Sequence, residues 1–254
     1  MSADQVSDIV TAGFLVIGDE ILSGRTKDKN IGYLAEYLTA IGIELSEVRI
    51  VPDIEERIVE AVRALSARYT YVFTSGGIGP THDDITADSI ARAFNVPIDH
   101  DPRAIAILTA FYPEGQLTEA RARMARIPQG ADLIENSVSK APGFRIGNVH
   151  VMAGVPSIFQ AMLDNLLPTL RTGAKIQSVT VNCPFGEGAI GDPLAAIQDQ
   201  NPETVIGSYP QFDGTSFSTQ IVIRGRHADA IEAAEKQVRQ MLEQLHSKRE
   251  KTGR

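Results

Sequence analysis

Phe73-Thr-Ser-Gly-Gly-Ile-Gly-Pro-Thr-His-Asp-Asp-Ile-Thr86 decides the reading of this chain. An apolar strand, residues 71–74, runs into a glycine turn and then into acids at the start of a helix. Gly76, Gly77 and Gly79 let backbone N–H groups approach an anion closely. Asp83 and Asp84 would repel that anion unless a cation intervened. A metal-assisted phosphate site is one reading of the stretch; ordinary turn chemistry is the other.

Working outward, residues 13–17 form a buried-strand run, and Ile31, Leu34, Ala35, Leu38 and Ile41 share a helical face that ends at Gly42. A strand over 44–51 and a helix with Ile54, Ile58, Val62 and Leu65 inward lead to the central strand. Repeated β-α order predicts a mostly parallel sheet covered on both faces, a three-layer α/β/α architecture. In such sheets ligands sit beyond the carboxyl ends of the strands, where residues 18–20 and 76–84 both fall. Helices are expected over 87–94, 103–111, 118–125 and 157–170, with short strands near Leu133 and Val149. After Gly173 the pattern becomes strand (176–183), helix (187–200), two strands (205–209 and 217–224) and a final helix with Ile231, Ala234, Val238, Met241 and Leu245 inward. That order predicts a small α+β domain over 173–254, following a first domain over 1–172. The end from Lys248 to Arg254 is expected to fray.

With 254 residues, 43% of them hydrophobic, the chain can bury a sizeable core. A net charge of −8 without basic tracts argues against a nucleic-acid partner. Cys183 stands alone, which excludes an intrachain disulfide, and five His with one Cys give no zinc-ligand spacing. No signal core or membrane-length apolar run is visible, so no membrane association and a cytoplasmic address are expected.

Two further clusters carry candidate chemistry. Gly18-Asp-Glu-Ile-Leu-Ser-Gly24, with Asp28 and Asn30, puts acids just after the first strand. Asp19 and Glu20 are either metal or hydroxyl ligands or simply solvated, and Asp28 or Asn30 either joins them or caps the next helix. Asp53, with Glu56 three residues on, has the form of a capping box, yet lies at the ligand-facing edge and could serve both roles. Thr86 is expected to cap its helix, with Ser89 at the third helical position. His82 is either a phosphate donor when protonated or incidental. The second cluster is Asn136, then Lys140-Ala-Pro-Gly-Phe144, then Ala153-Gly-Val-Pro-Ser157. There Gly154 and Pro156 are either turn and cap or a second anion cradle at a helix start.

Taken together these motifs resemble the N-terminal portion of the CinA (competence/damage-inducible protein A) family, within the MoaB/Mog molybdopterin-binding superfamily. The resemblance rests on Gly18-Asp-Glu with Leu22, Gly24, Asp28 and Asn30; on Val51-Pro-Asp53; on residues 74–86; on Asn136; on Ala141-Pro-Gly143; and on Gly154-Val-Pro-Ser157. It covers residues 13–170, and Gly186-Glu187 with Gly207-Ser-Tyr-Pro210 resembles the small domain that follows in CinA. The family's nicotinamide-nucleotide deamidase domain does not follow in this sequence, so the resemblance implies a stand-alone form. In the molybdopterin adenylyltransferases it implies nucleotide and metal chemistry at Asp53 and Asp84, with the glycine loop on the pterin phosphate. Those enzymes carry Arg just before the second acid; Asp83 here is the CinA type.

The leading expectation is thus a metal-dependent nucleotide pyrophosphatase acting on ADP-ribose- or FAD-like diphosphates. Its expected catalytic residues are Asp53, Asp84 and Lys140, the last on the leaving phosphate. Phosphate or nucleotide contacts are expected from Gly76, Gly77, Gly79, Pro80, Thr81, Thr86, Asn136, Gly154, Pro156 and Ser157. A divalent metal, Mg, Mn or Co, is expected on Asp19, Glu20, Asp83 and Asp84, with potassium a further candidate. The expected partner is a small nucleotide or pterin phosphate, and the expected assembly a homo-oligomer, dimer or trimer. A molybdopterin nucleotidyl-transfer protein and a non-catalytic nucleotide or pterin binder are the alternatives.

Overall fold

The structure is a computed structural model that describes residues 9–212, 214–215 and 217–252. It divides into two units, Met1–Gly173 and Ala174–Arg254. In the first, β1 (Val10–Ile17) leads through the single-turn α1 (Asp19–Leu22) to α2 (Asn30–Ala40), β2 (Ile43–Val51), α3 (Glu55–Arg68), β3 (Tyr71–Ser75) and α4 (Thr86–Phe94). Then come β4 (Ile98–His100), α5 (Pro102–Phe111), α6 (Glu119–Ala122), β5 (Arg126–Pro128), β6 (Asp132–Ile134), β7 (Gly143–Ile146), β8 (Val149–Met152) and α7 (Pro156–Leu166).

The main sheet has the order β2-β1-β3-β8-β7-β6. Strands β2, β1, β3 and β8 pair in parallel, while β7 and β6 continue the sheet antiparallel. Alternation along β1 sends Phe14 and Val16 to one face and Leu15 and Ile17 to the other. The first face packs on Leu34 and Leu38 of α2 and on Phe159, Met162 and Leu163 of α7. The second packs on Ile58, Val62 and Leu65 of α3, Ile90 of α4 and Leu108 of α5. The result is the three-layer α/β/α fold with a mostly parallel sheet.

Several expected elements differ. The helix over 118–125 is one turn of α6 that tightens into a 3₁₀ turn, Arg123–Ala125. The helix over 157–170 stops at Leu166 and passes into a 3₁₀ turn, Leu167–Thr169, because Pro168 has no N–H to extend the ladder. Strand β7 and the separate β4–β5 pair were not foreseen; with three or four residues each, they are too short to show a period of two.

In the second unit, β9 (Gln177–Cys183), α8 (Glu187–Gln200), β10 (Thr204–Phe212), β11 (Phe217–Gly225) and α9 (Ala228–Thr252) form a small α+β domain. Its antiparallel sheet, in the order β10-β11-β9, packs Val181, Ile221 and Ile223 on Ile190 of α8 and on Ala234 and Val238 of α9. The expected fraying from Lys248 is not observed, since α9 continues to Thr252; Gly253 and Arg254 lie outside the described residues. No described helix is long and apolar enough to cross a membrane.

One core residue makes the fold acid-sensitive. His150 of β8 is buried, its ring centroid 5.3 Å from that of Phe73 and 5.7 Å from that of Tyr71, and its Nε2 has no partner among the described residues. Burial pushes its pKa down from 6.5 to about 4. The unfolded chain therefore takes up a proton below pH 6.5 that the folded protein refuses. The His150 contribution is present above 6.5 and is lost as pH falls towards 4, on the order of 3 kcal/mol in all. Urea midpoints at pH 6.5 and 4.5 are expected to differ less in His150→Leu than in wild type; equal differences would reject this account.

Candidate functional site

The carboxyl ends of β1, β2, β3 and β8 lie side by side and are stitched together. Gly18 N–H donates to the Val51 carbonyl at 3.2 Å, and Gly76 N–H to the Met152 carbonyl at 3.2 Å. Buried Asn30, first residue of α2, donates from Nδ2 to Ser75 Oγ at 2.8 Å and to the Gly154 carbonyl at 2.9 Å. It is a tie rather than a cap. Asp28 does the capping, its Oδ1 accepting from Ile31 N–H at 2.7 Å.

Above these ends lies a cleft of about 530 Å³. One wall is the glycine loop, Gly76, Gly77, Ile78, Gly79 and Pro80; another is Ala153, Gly154, Val155 and Pro156. Gly76 has φ +108, and a Cβ there would sit 2.2 Å from the Ile17 carbonyl oxygen, so only glycine allows β1 and the loop to meet. Among the described residues the N–H groups of Gly77, Ile78 and Gly79 have no protein acceptor, and all three residues line the cleft.

Four carboxylates, Glu20, Asp53, Asp83 and Asp84, line the same cleft, and no Lys, Arg or His is among its lining residues. The capping box expected at Asp53 does not form. The N-cap of α3 is Ile54, without a side-chain bond, and Asp53 Oδ2 instead accepts from Asp19 N–H at 2.9 Å. Burial raises the Asp53 pKa above the ordinary carboxylate value; the Asp19 N–H bond opposes this, and the charges of Asp19, Glu20 and Asp83 add to it. Asp84 Oδ2 accepts from Thr81 N–H at 2.8 Å and from Thr81 Oγ1 at 2.6 Å, which closes the turn between the glycines and α4.

Other expected site residues stand elsewhere. Thr86 is not an N-cap: it is the first residue of α4, buried, and donates from Oγ1 to the Gly76 carbonyl at 3.0 Å, bracing the loop from behind. Asn136 touches the cleft, but its side chain is committed to its own loop, accepting from Val138 and Ser139 N–H and donating to Ser139 Oγ and the Ala141 carbonyl. Asp19, Thr81, Thr86, Lys140 and Ser157 are not among the lining residues; Lys140 holds φ 63 in the loop, while its neighbours Ser139 and Ala141 reach the cleft. His82 is 99% exposed at its side chain and is not among the lining residues. Sequence reasoning missed Thr26, Met124 and Ile158, which line the cleft outside every quoted motif, and gave no role to Val155, which lies within one.

The family described as "Probable molybdopterin binding domain" matches residues 13–172, the unit that carries this cleft. The chain belongs to that family. Residues 175–251 match the family described as "FAD synthase, middle domain". The crystal structure of a protein CinA of unknown function from Thermoplasma acidophilum is 32% identical, with a TM-score of 0.61, over 64% of this chain and 99% of that one. A CinA-like protein of Citrifermentans bemidjiense is 38% identical over 200 residues, 74% of this chain and 48% of its own length. A probable FAD synthase of Caenorhabditis elegans is 30% identical over 260 residues, 91% of this chain and 50% of its own length. The chain thus spans about half the length of these two curated relatives. The Thermoplasma structure, 99% of which is covered, places it among the CinA proteins.

Proposed function

We propose that this protein is a metal-dependent pyrophosphatase of nucleotide diphosphates such as ADP-ribose or FAD. One observation carries the reading: glycine-loop residues whose amides have no acceptor among the described residues line, together with four carboxylates, one cleft of nucleotide size. The relatives named for FAD synthase support a nucleotide substrate.

The donor set fits a hard divalent cation. Among the described residues no three His, Cys, Asp or Glu gather closely enough to hold a metal by themselves. Carboxylates that leave most of the coordination shell to phosphates and water are the usual setting of Mg²⁺ or Mn²⁺. Glu20 and Asp83 would hold it, together with phosphate oxygens and water; when bound it would neutralise the diphosphate and acidify water. The Gly77, Ile78 and Gly79 amides orient one phosphate. Among the described residues Asp53 Oδ1 has no partner, and the raised pKa suits that atom to take the proton of the water that attacks phosphorus as the bridging P–O bond breaks. Met124, Val155 and Ile158 offer an apolar surface to the base or isoalloxazine ring.

Incubation with ADP-ribose, FAD, NAD and molybdopterin plus ATP, each with Mg²⁺, Mn²⁺ or Co²⁺, is expected to yield AMP from a dinucleotide only when metal is present. Adenylylated pterin as the product would instead select nucleotidyl transfer. Binding without any product would select the non-catalytic reading.

A further inference from the structure

A cleft lined by four acids and no base is a poor host for a diphosphate, and a cation of the protein lies just behind its wall. Ile78, Gly79, Asp84 and Met124 are shared between the cleft and a niche of about 10 Å³, the volume of a single water, whose far side holds Arg123 and Arg126. The two arginines are bound differently. Arg126 grips Asp88 with two short bonds, 2.8 and 2.6 Å, and its charge is matched. Arg123, its side chain 33% exposed, reaches Asp88 at only 3.9 Å, gives one long bond of 3.4 Å to the Asp84 carbonyl, and keeps a buried Nε without a partner among the described residues. A guanidinium with a desolvated, unused donor is costly to maintain for packing alone. The 3₁₀ turn Arg123–Ala125 is what sets it there: tightening after α6 places Met124 on the cleft and Arg123 behind Asp84.

We infer that Arg123 is the protein's own counter-charge for this site, a positioning residue that offsets one of the four carboxylates and holds the Asp84 loop from behind. It thereby sets how much divalent metal a diphosphate ligand requires. The niche is too small for a phosphate, so Arg123 acts through the Asp84 loop and through its field rather than by direct contact. The inference takes its ligand class from the proposed function, but its test does not need turnover.

Opposite changes in two affinities are the signature of a counter-charge. In full-length Arg123→Met, Mn²⁺ alone is expected to bind about 3- to 10-fold more tightly, because the acids lose their neighbour. Inorganic pyrophosphate without metal is expected to bind about 10-fold more weakly, for the same reason. Arg123→Lys, which keeps the charge, is expected to restore both towards wild type. A merely structural arginine would loosen both affinities together, in Lys and Met alike, with a lower melting temperature. Parallel weakening, no change in either affinity, or a wild type that binds neither ion would each overturn the inference. Failure of the pyrophosphatase reading shows separately, as absence of AMP from dinucleotides while the two ion titrations still diverge.

Discussion

Asp53→Asn is expected to lower turnover of a nucleotide diphosphate by about 10²–10³-fold while leaving the protein at least as stable as wild type at pH 7. Both halves follow from one environment. The amide oxygen of Asn can still accept the Asp19 N–H, so the link between β2 and α1 survives. The charge that burial and Asp19, Glu20 and Asp83 oppose is gone. A carboxyl whose folded pKa is raised destabilises the fold once pH exceeds that value, and the penalty fades as pH falls towards the unfolded value of 3.8. The melting temperature of Asp53→Asn should therefore match or exceed wild type at pH 7, with the gap closing near pH 4. A rate within threefold of wild type would remove Asp53 from the chemistry. Lost activity with a clearly lowered melting temperature would make its role structural.

The second large effect is on the glycine loop. Gly76→Ala is expected to destabilise the first unit by about 3 kcal/mol or more, since left-handed backbone strain adds to a Cβ placed 2.2 Å from the Ile17 carbonyl oxygen. Gly24 supplies the comparison. It also has positive φ, +73, but nothing lies within 4 Å of its Cβ position, so Gly24→Ala should cost only about 1 kcal/mol. Urea unfolding of the pair separates conformational strain from collision. Equal costs would mean that β1 and the loop yield without strain.

Much of this arrangement was legible in the sequence. The β-α repeats placed the parallel strands and both layers of helices, because long amphipathic segments such as α3, with Ile58, Val62 and Leu65 inward, have one stable way to bury that face. Clustering of glycine and acid just after strand ends marked the cleft, because the ends of neighbouring parallel strands meet in space. What stayed hidden were the partners of individual polar groups. Asp53 followed by Glu56 has the form of a capping box, yet the carboxylate turns to a backbone amide 34 residues away. Thr86 resembles an N-cap and instead braces Gly76. Asn136 carries a motif position but serves its own loop. Local pattern cannot rank a near partner against a distant one, since both satisfy the same donor or acceptor. Arg123 and Met124 were invisible for another reason: they depend on where a 3₁₀ turn begins.

Asn30 joins the end of β3 to the loop after β8, while backbone bonds join β1 to β2 and β3 to β8 at the same level. The cradle is in this sense preorganised. Ordering a backbone residue costs on the order of 1–2 kcal/mol, and here that cost falls on folding, before any ligand arrives. Association then gives up chiefly the ligand's own freedom and that of a few exposed side chains. The same economy makes the cradle unforgiving of shape, because walls held at their bases cannot widen one at a time to admit a bulkier guest.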